Sequence, residues 1–135
     1  MTDSRRASYS FTKLVVDDLE KMAAFYCDVY ELDRVARVQA RIGADAIDEI
    51  MLGVGPEMSP GSLVLLKFTG KSRPQNGEVI LGFTTPDLSA LVARVRAAGG
   101  GIHADIQEMP EMGIRVAFAT DPEGHLAELV EMLAR

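Results

Sequence analysis

The chain has 135 residues, 47% of them apolar and 25% charged, with a formal net charge of −6. That is the length of one ordinary domain, with enough apolar content to bury a core. The acidic balance argues against a nucleic acid or an anionic membrane as partner. The apolar runs fall far short of the roughly 20 residues a membrane span needs. The N-terminal residues include Asp3, Arg5 and Arg6 and precede no apolar signal region. A single cysteine, Cys27, makes no internal disulfide. A cytoplasmic setting is the expectation from these features.

Residues 1–8 are polar and read as loose. Residues 9–16 alternate and are rich in β-formers, which predicts a strand with Tyr9, Phe11 and Lys13 on one face. Asp17 and Asp18 end it and open a helix. Leu19, Met22, Ala23, Tyr26, Val29 and Tyr30 form its apolar stripe. Strands are predicted over 34–42, 46–52 and 62–68, with a Gly- and Pro-rich loop over 53–61. In the first of these Arg37, Gln39 and Arg41 share a face. The near-continuous apolar run of 62–68 predicts a strand buried on both sides.

A polar connection, 69–78, comes next, and then the pattern restarts. Residues 79–84 read as a strand. Thr85-Pro86-Asp87 opens a helix striped by Leu88, Leu91, Val92, Val95 and Ala98, and Gly99-Gly100-Gly101 ends it. Strands follow over 102–107 and 114–119, with a loop at 109–113. Asp121-Pro122-Glu123-Gly124 is turn chemistry. The last segment, from Leu126, fits helical spacing as well as strand.

The restart resolves that ambiguity. Both halves read strand, helix, strand, strand, strand. Val16-Asp17-Asp18-Leu19 lies over Thr85-Pro86-Asp87-Leu88, and Phe11 over Ile80. Aligned on Gly61 and Gly124, Leu65 lies over Glu128. The last segment is therefore expected to be a strand. Two such units are expected to form a curved mixed sheet of α+β class around a cleft. Module one spans about 9–68, a linker about 69–78, and module two about 79–133.

This arrangement resembles the vicinal oxygen chelate superfamily, which includes glyoxalase I, extradiol dioxygenases and bleomycin-resistance proteins. The resemblance is carried by Leu14-x-Val16-x-Asp18-Leu19 with Phe25-Tyr26, and by Phe83-x-x-x-Asp87-Leu88. Ala97-Ala98-Gly99-Gly100 adds to it, and above all Asp121-Pro122-x-Gly124-His125-x-x-Glu128-Leu129. In metal-using members it implies ligands that fall here on Phe11, Ile80, Glu128 and, for glyoxalase I, Leu65. Three of the four have no lone pair to give, and a tight transition-metal site takes about three protein ligands. No cofactor is therefore expected. A divalent metal is the alternative if the first-strand register is misjudged, with Tyr9 and Lys13 the nearest substitutes.

What remains is an apolar cleft expected to carry one carboxylate, Glu128, beside Phe11, Leu65 and Ile80. Arg37 and Gln39, or a solvated strand face in their place, and the thioethers of Met51 and Met109 are the other candidate lining groups. Met58 and Met112 have the same character. His125 reads as a surface turn residue, and His103 as structural or exposed. The resemblance implies a small-molecule-binding protein for an apolar or aromatic organic ligand, assembled as a homodimer. An enzyme is the alternative. Glu128 would then be the general base or acid of an isomerase or lyase, or the metal ligands of a lyase or dioxygenase would lie elsewhere. A regulatory subunit that kept the fold alone is the third reading.

Overall fold

A computed structural model describes residues 9–55, 61–73 and 77–133. Residues 1–8, Met58 with the centre of the 53–61 loop, the middle of the 69–78 connection and the last two residues lie outside the described residues. The elements in chain order are β1 (Phe11–Val15), α1 (Leu19–Tyr30), β2 (Asp33–Ile42), β3 (Asp45–Gly53), β4 (Ser62–Phe68), β5 (Ile80–Thr84), α2 (Leu88–Ala97), β6 (Gly101–Met109), β7 (Ile114–Thr120) and β8 (Leu126–Met132). A single 3₁₀ turn, Pro110–Met112, joins β6 to β7. The order strand, helix, three strands thus occurs twice. No helix among the described residues is long and apolar enough to cross a membrane.

Each half builds one four-stranded mixed sheet, β1-β4-β3-β2 in the first and β5-β8-β7-β6 in the second. In both, the first strand of the half runs parallel to its last, and the other pairings are antiparallel. By internal contacts the chain divides into two units, Met1–Leu19 with Leu32–Arg73, and Glu20–Glu31 with Pro74–Arg135. Most of α1 therefore belongs with the second sheet.

In the first unit β4 is central, and its residues from Ser62 to Leu66 are all buried. This matches the uninterrupted apolar run of its sequence. In the second unit β8 is central, paired by β5 on one side and β7 on the other. Two ladders of backbone hydrogen bonds outweigh the helical spacing of its leucines.

Helix α2 starts where Asp87 accepts from the Ala90 amide at 3.1 Å, and Glu131 of β8 accepts from the Leu88 amide at 2.7 Å. Two of the four amides left open at the helix start are thereby satisfied. Leu88, Leu91, Val92 and Val95 are its buried stripe. From α1, the Tyr30 ring stacks on Phe83 of β5 with centroids 3.8 Å apart and 7° between the planes. Arg94 of α2 donates to the Val29 carbonyl at the end of α1. Both helices therefore cover the side of the second sheet that carries Phe83, Leu129 and Glu131.

Gly100, just after α2, lies against Thr120 of β7, Val95 of α2 and Phe25 of α1. A Cβ built on it would lie 2.6 Å from the Thr120 carbonyl oxygen, 2.7 Å from Val95 Cγ1 and 3.1 Å from Phe25 Cε1. Backbone on one side and buried helix side chains on the other leave no room to yield. Gly100→Ala is expected to cost about 1–3 kcal/mol of stability, the range for an overpacked core. Gly82→Ala, with nothing within 4 Å of its Cβ position, is expected to stay within about 1 kcal/mol of the parent. Urea unfolding of the two variants measures the difference.

Candidate functional site

Strand register decides which of the sequence-derived candidates share a surface, because alternate residues of a strand point to opposite faces. In the second sheet Ile80 pairs with Leu126 and Gly82 with Glu128, while Glu128 also pairs with Phe118, and Met109 with Ile114. Ile80, Glu128 and Met109 therefore lie on one face, the one turned away from the two helices. Glu128 is half-buried there, and Ile80 is 55% exposed.

The first sheet divides the candidates. Phe11 pairs with Ser62, Lys13 with Val64, and Val64 with Met51, so Phe11, Lys13 and Met51 share a face. Leu65 pairs with Leu14 and Ile50, on the opposite face and fully buried. Arg37 and Gln39 pair with Ile50 and Asp48 and lie on that opposite face too. Arg37 binds Asp48 there through two bonds, at 2.8 and 3.1 Å. With a further bond from Gln39, it holds the Asp48 carboxyl below the usual carboxylate range.

The expectation that Leu65 is the counterpart of Glu128 is thus corrected. Ser62 occupies the place of Leu126, and Val64 that of Glu128. The reason is one residue of turn. β4 begins directly after Gly61, whereas His125 intervenes between Gly124 and Leu126. Alignment on the glycines therefore slips by one residue, and a slip of one exchanges the faces.

His125 is also not a surface residue. It is 8% exposed, and its Nδ1 lies 2.7 Å from Asp121 Oδ2. Tyr26 of α1 donates to the same oxygen at 2.8 Å, and the Glu123 and His125 amides donate to Oδ1. Burial alone would raise the Asp121 pKa, but the bonds from His125 and Tyr26 outweigh it and hold the carboxyl below its usual value. Burial and the nearby Asp121 charge push the Tyr26 phenol far up, so it stays a donor. The Tyr26 position in the helix stripe marked it as core, but nothing in its spacing named Asp121 as its partner.

Three further features escaped the sequence reading. Gly82 leaves open space beside Glu128, with nothing within 4 Å of its Cβ position. Glu49, 3% exposed, accepts from Lys13 at 2.6 Å. On the helix side of the second unit, Tyr30, Phe83, Thr85, Asp87, Leu91 and Arg94 line a cavity of about 260 Å³. The only signal for Glu49 was a carboxylate in the middle of a strand pattern.

Residues 8–129 match the family model for the Glyoxalase/Bleomycin resistance protein/Dioxygenase superfamily. The chain belongs to this superfamily. Lactoylglutathione lyase from Arabidopsis thaliana is 30% identical over 118 residues, covering 86% of this chain and 41% of that protein. The chain thus spans about two fifths of the length of the curated relatives it matches. Among solved structures, a glyoxalase family protein from Bacillus cereus has a TM-score of 0.82 at 16% identity, covering 98% of this chain and all of that one. The trypanothione-dependent glyoxalase I of Leishmania major has a TM-score of 0.70 at 26% identity, covering 93% of this chain and 87% of that one.

The resemblance associates a divalent metal with this fold and puts its ligands at the equivalent strand positions of the two modules. At those positions Phe11, Ile80 and Val64 carry hydrocarbon side chains without a lone pair, as does Leu65, the neighbour of Val64. Among the described residues no group of three or more His, Cys, Asp or Glu is gathered as a metal cage.

The Asp121 cluster yields a pH prediction. A carboxyl held below its unfolded value contributes stability above that value and loses it as pH falls through the folded-state value. Asp121→Asn at neutral pH is expected to cost about 1–3 kcal/mol through the disrupted buried bonds. Its gap from the parent is expected to narrow as pH falls below about 4. Urea titrations at several pH values read both effects.

Proposed function

We propose that this superfamily member binds a small apolar or aromatic molecule, without a divalent metal, on the face of the second sheet that carries Glu128. The observation that carries the reading is the pairing of Glu128 with Gly82. A glycine inside a strand gives up side-chain packing, and a common reason is close approach of a ligand to the backbone. Here the open strip lies beside a half-buried carboxylate, with the exposed Ile80 ring-free side chain next to it and Phe118 opposite. Such a floor suits a flat apolar body that donates one hydrogen bond to Glu128. The absence of donor atoms at Phe11 and Ile80 supports the metal-free part of the proposal.

A second reading is favoured by the identity shared with the plant lactoylglutathione lyase. In it Glu128 takes a proton from bound substrate and returns it at a neighbouring atom, as the base of a lyase or isomerase. The two readings share the site and differ in whether Glu128 carries the proton or only accepts a hydrogen bond.

The experiment is a thermal-shift screen of aromatic and polyketide-like compounds on protein purified without chelator. A hit present at about a hundred times its Kd adds about 2.7 kcal/mol of stability. Gly82→Leu, which fills the strip, is expected to abolish the shift while leaving the unliganded protein folded. Glu128→Gln is expected to weaken it by about 1.5–3 kcal/mol, the worth of a hydrogen bond to a charged group. Loss of turnover with affinity largely kept would favour the lyase reading. Stoichiometric zinc, iron or manganese in the purified protein would overturn the metal-free proposal.

A further inference from the structure

On the Phe11 side of the first sheet, Glu49 is 3% exposed, and Lys13 Nζ lies 2.6 Å from its Oε2. The surrounding residues of that face, Val64, Leu66 and Ile47, are buried and apolar. Removing a carboxylate from water costs several kcal/mol, and an ion pair in such a place is often no more stabilising than apolar side chains of similar volume. The fold does not require the pair. In the second sheet the positions of Lys13 and Glu49 are taken by Gly82 and Val116, and the strands pair in the same way. The charges are therefore a property of the first module alone, not of the repeat.

The pair also has a direction. Glu49 is its buried end, with 5% of its side chain accessible, and Lys13 is its open end, with 35% accessible. The dipole presents its positive pole to solvent. An ammonium carries three N–H bonds, and Glu49 takes one. The Lys13 nitrogen lies 5.8 Å from the centroid of the Phe11 ring, and Phe11 is 45% exposed. An open aromatic face thus stands next to a cation whose position a buried carboxylate fixes. Little side-chain entropy remains to be lost when that cation meets a ligand.

We infer that Lys13, held by Glu49, and the Phe11 ring form a binding point for an aromatic anion, its carboxylate or sulfonate on Lys13 and its ring against Phe11. The assignment uses the first sheet alone and does not depend on the role proposed for Glu128.

Two fluorescent probes test it, 8-anilinonaphthalene-1-sulfonate and N-phenyl-1-naphthylamine. They share an aromatic body and differ in the sulfonate. Because Lys13→Met alone would strand a buried carboxylate, the main variant is the double change Lys13→Met with Glu49→Leu, its fold checked by circular dichroism. The expected result is a loss of sulfonate-probe affinity of roughly tenfold or more, the worth of a charge-assisted hydrogen bond. The neutral probe is expected to change by less than about twofold. Lys13→Arg, which keeps the charge, should retain the sulfonate probe to within about threefold. Phe11→Ala should weaken both probes. The inference is overturned if the parent protein does not bind the sulfonate probe. It is also overturned if the double variant binds that probe as the parent does, or loses both probes equally.

Discussion

Four hydrogen bonds converge on the carboxylate of Asp121 and hold the turn from which the strand of the candidate site departs. Two come from backbone amides of the turn, one from Tyr26 on α1 and one from the His125 ring. The turn that precedes β8 is thereby tied to the helix layer of its own unit. One residue, His125, also stands between Gly124 and β8, where none stands between Gly61 and β4. Because strand faces alternate residue by residue, the extra position determines that Glu128 emerges away from the helices. A turn shorter by one would direct the same side chain into the Phe83 and Leu129 packing, where an unpaired carboxylate is costly.

Much of the architecture was legible in the chain. The duplication rests on short strings around Asp18-Leu19 and Asp87-Leu88, and it correctly made β8 a strand although its leucines also fit a helix. Strand and helix ends move by a residue or two at most places, since fraying and capping are decided by neighbours that a single segment does not contain. The site was less legible. Face assignment needs register to one residue, and the glycine that looked like the natural anchor sits at different distances from the two last strands. Glu49 was hidden for a different reason. A charged residue in a strand usually marks the wet side, and its buried position depends on Lys13, 36 residues away in sequence.

The two modules show how one scaffold accommodates different chemistry. At equivalent places the first sheet has Lys13, Glu49 and Val64, and the second has Gly82, Val116 and Glu128. The first sheet has filled its surface with a paired charge, while the second has left a strip of backbone open beside a single acid. Neither arrangement resembles a cage of donors around an ion. Membership of the superfamily fixes the frame, but the frame does not name the reaction, because its chemistry resides in these few surface positions.

The hydrocarbon side chains at Phe11 and Ile80 bear on the proton transfer proposed for Glu128. A divalent ion acidifies a carbon acid by withdrawing charge from the neighbouring oxygen, and a carboxylate alone gives no such help. In the proposed metal-free reading, Glu128 acting by itself would suit substrates that are already acidic, such as extended enols or phenols. In those the developing charge spreads over the ligand's own π system. The open strip at Gly82 would, in the proposed reading, favour ligands of the same flat, conjugated shape. Under both proposed readings, binding and proton transfer would draw on one class of molecule, with Gly82 and Glu128 as the pair that selects it.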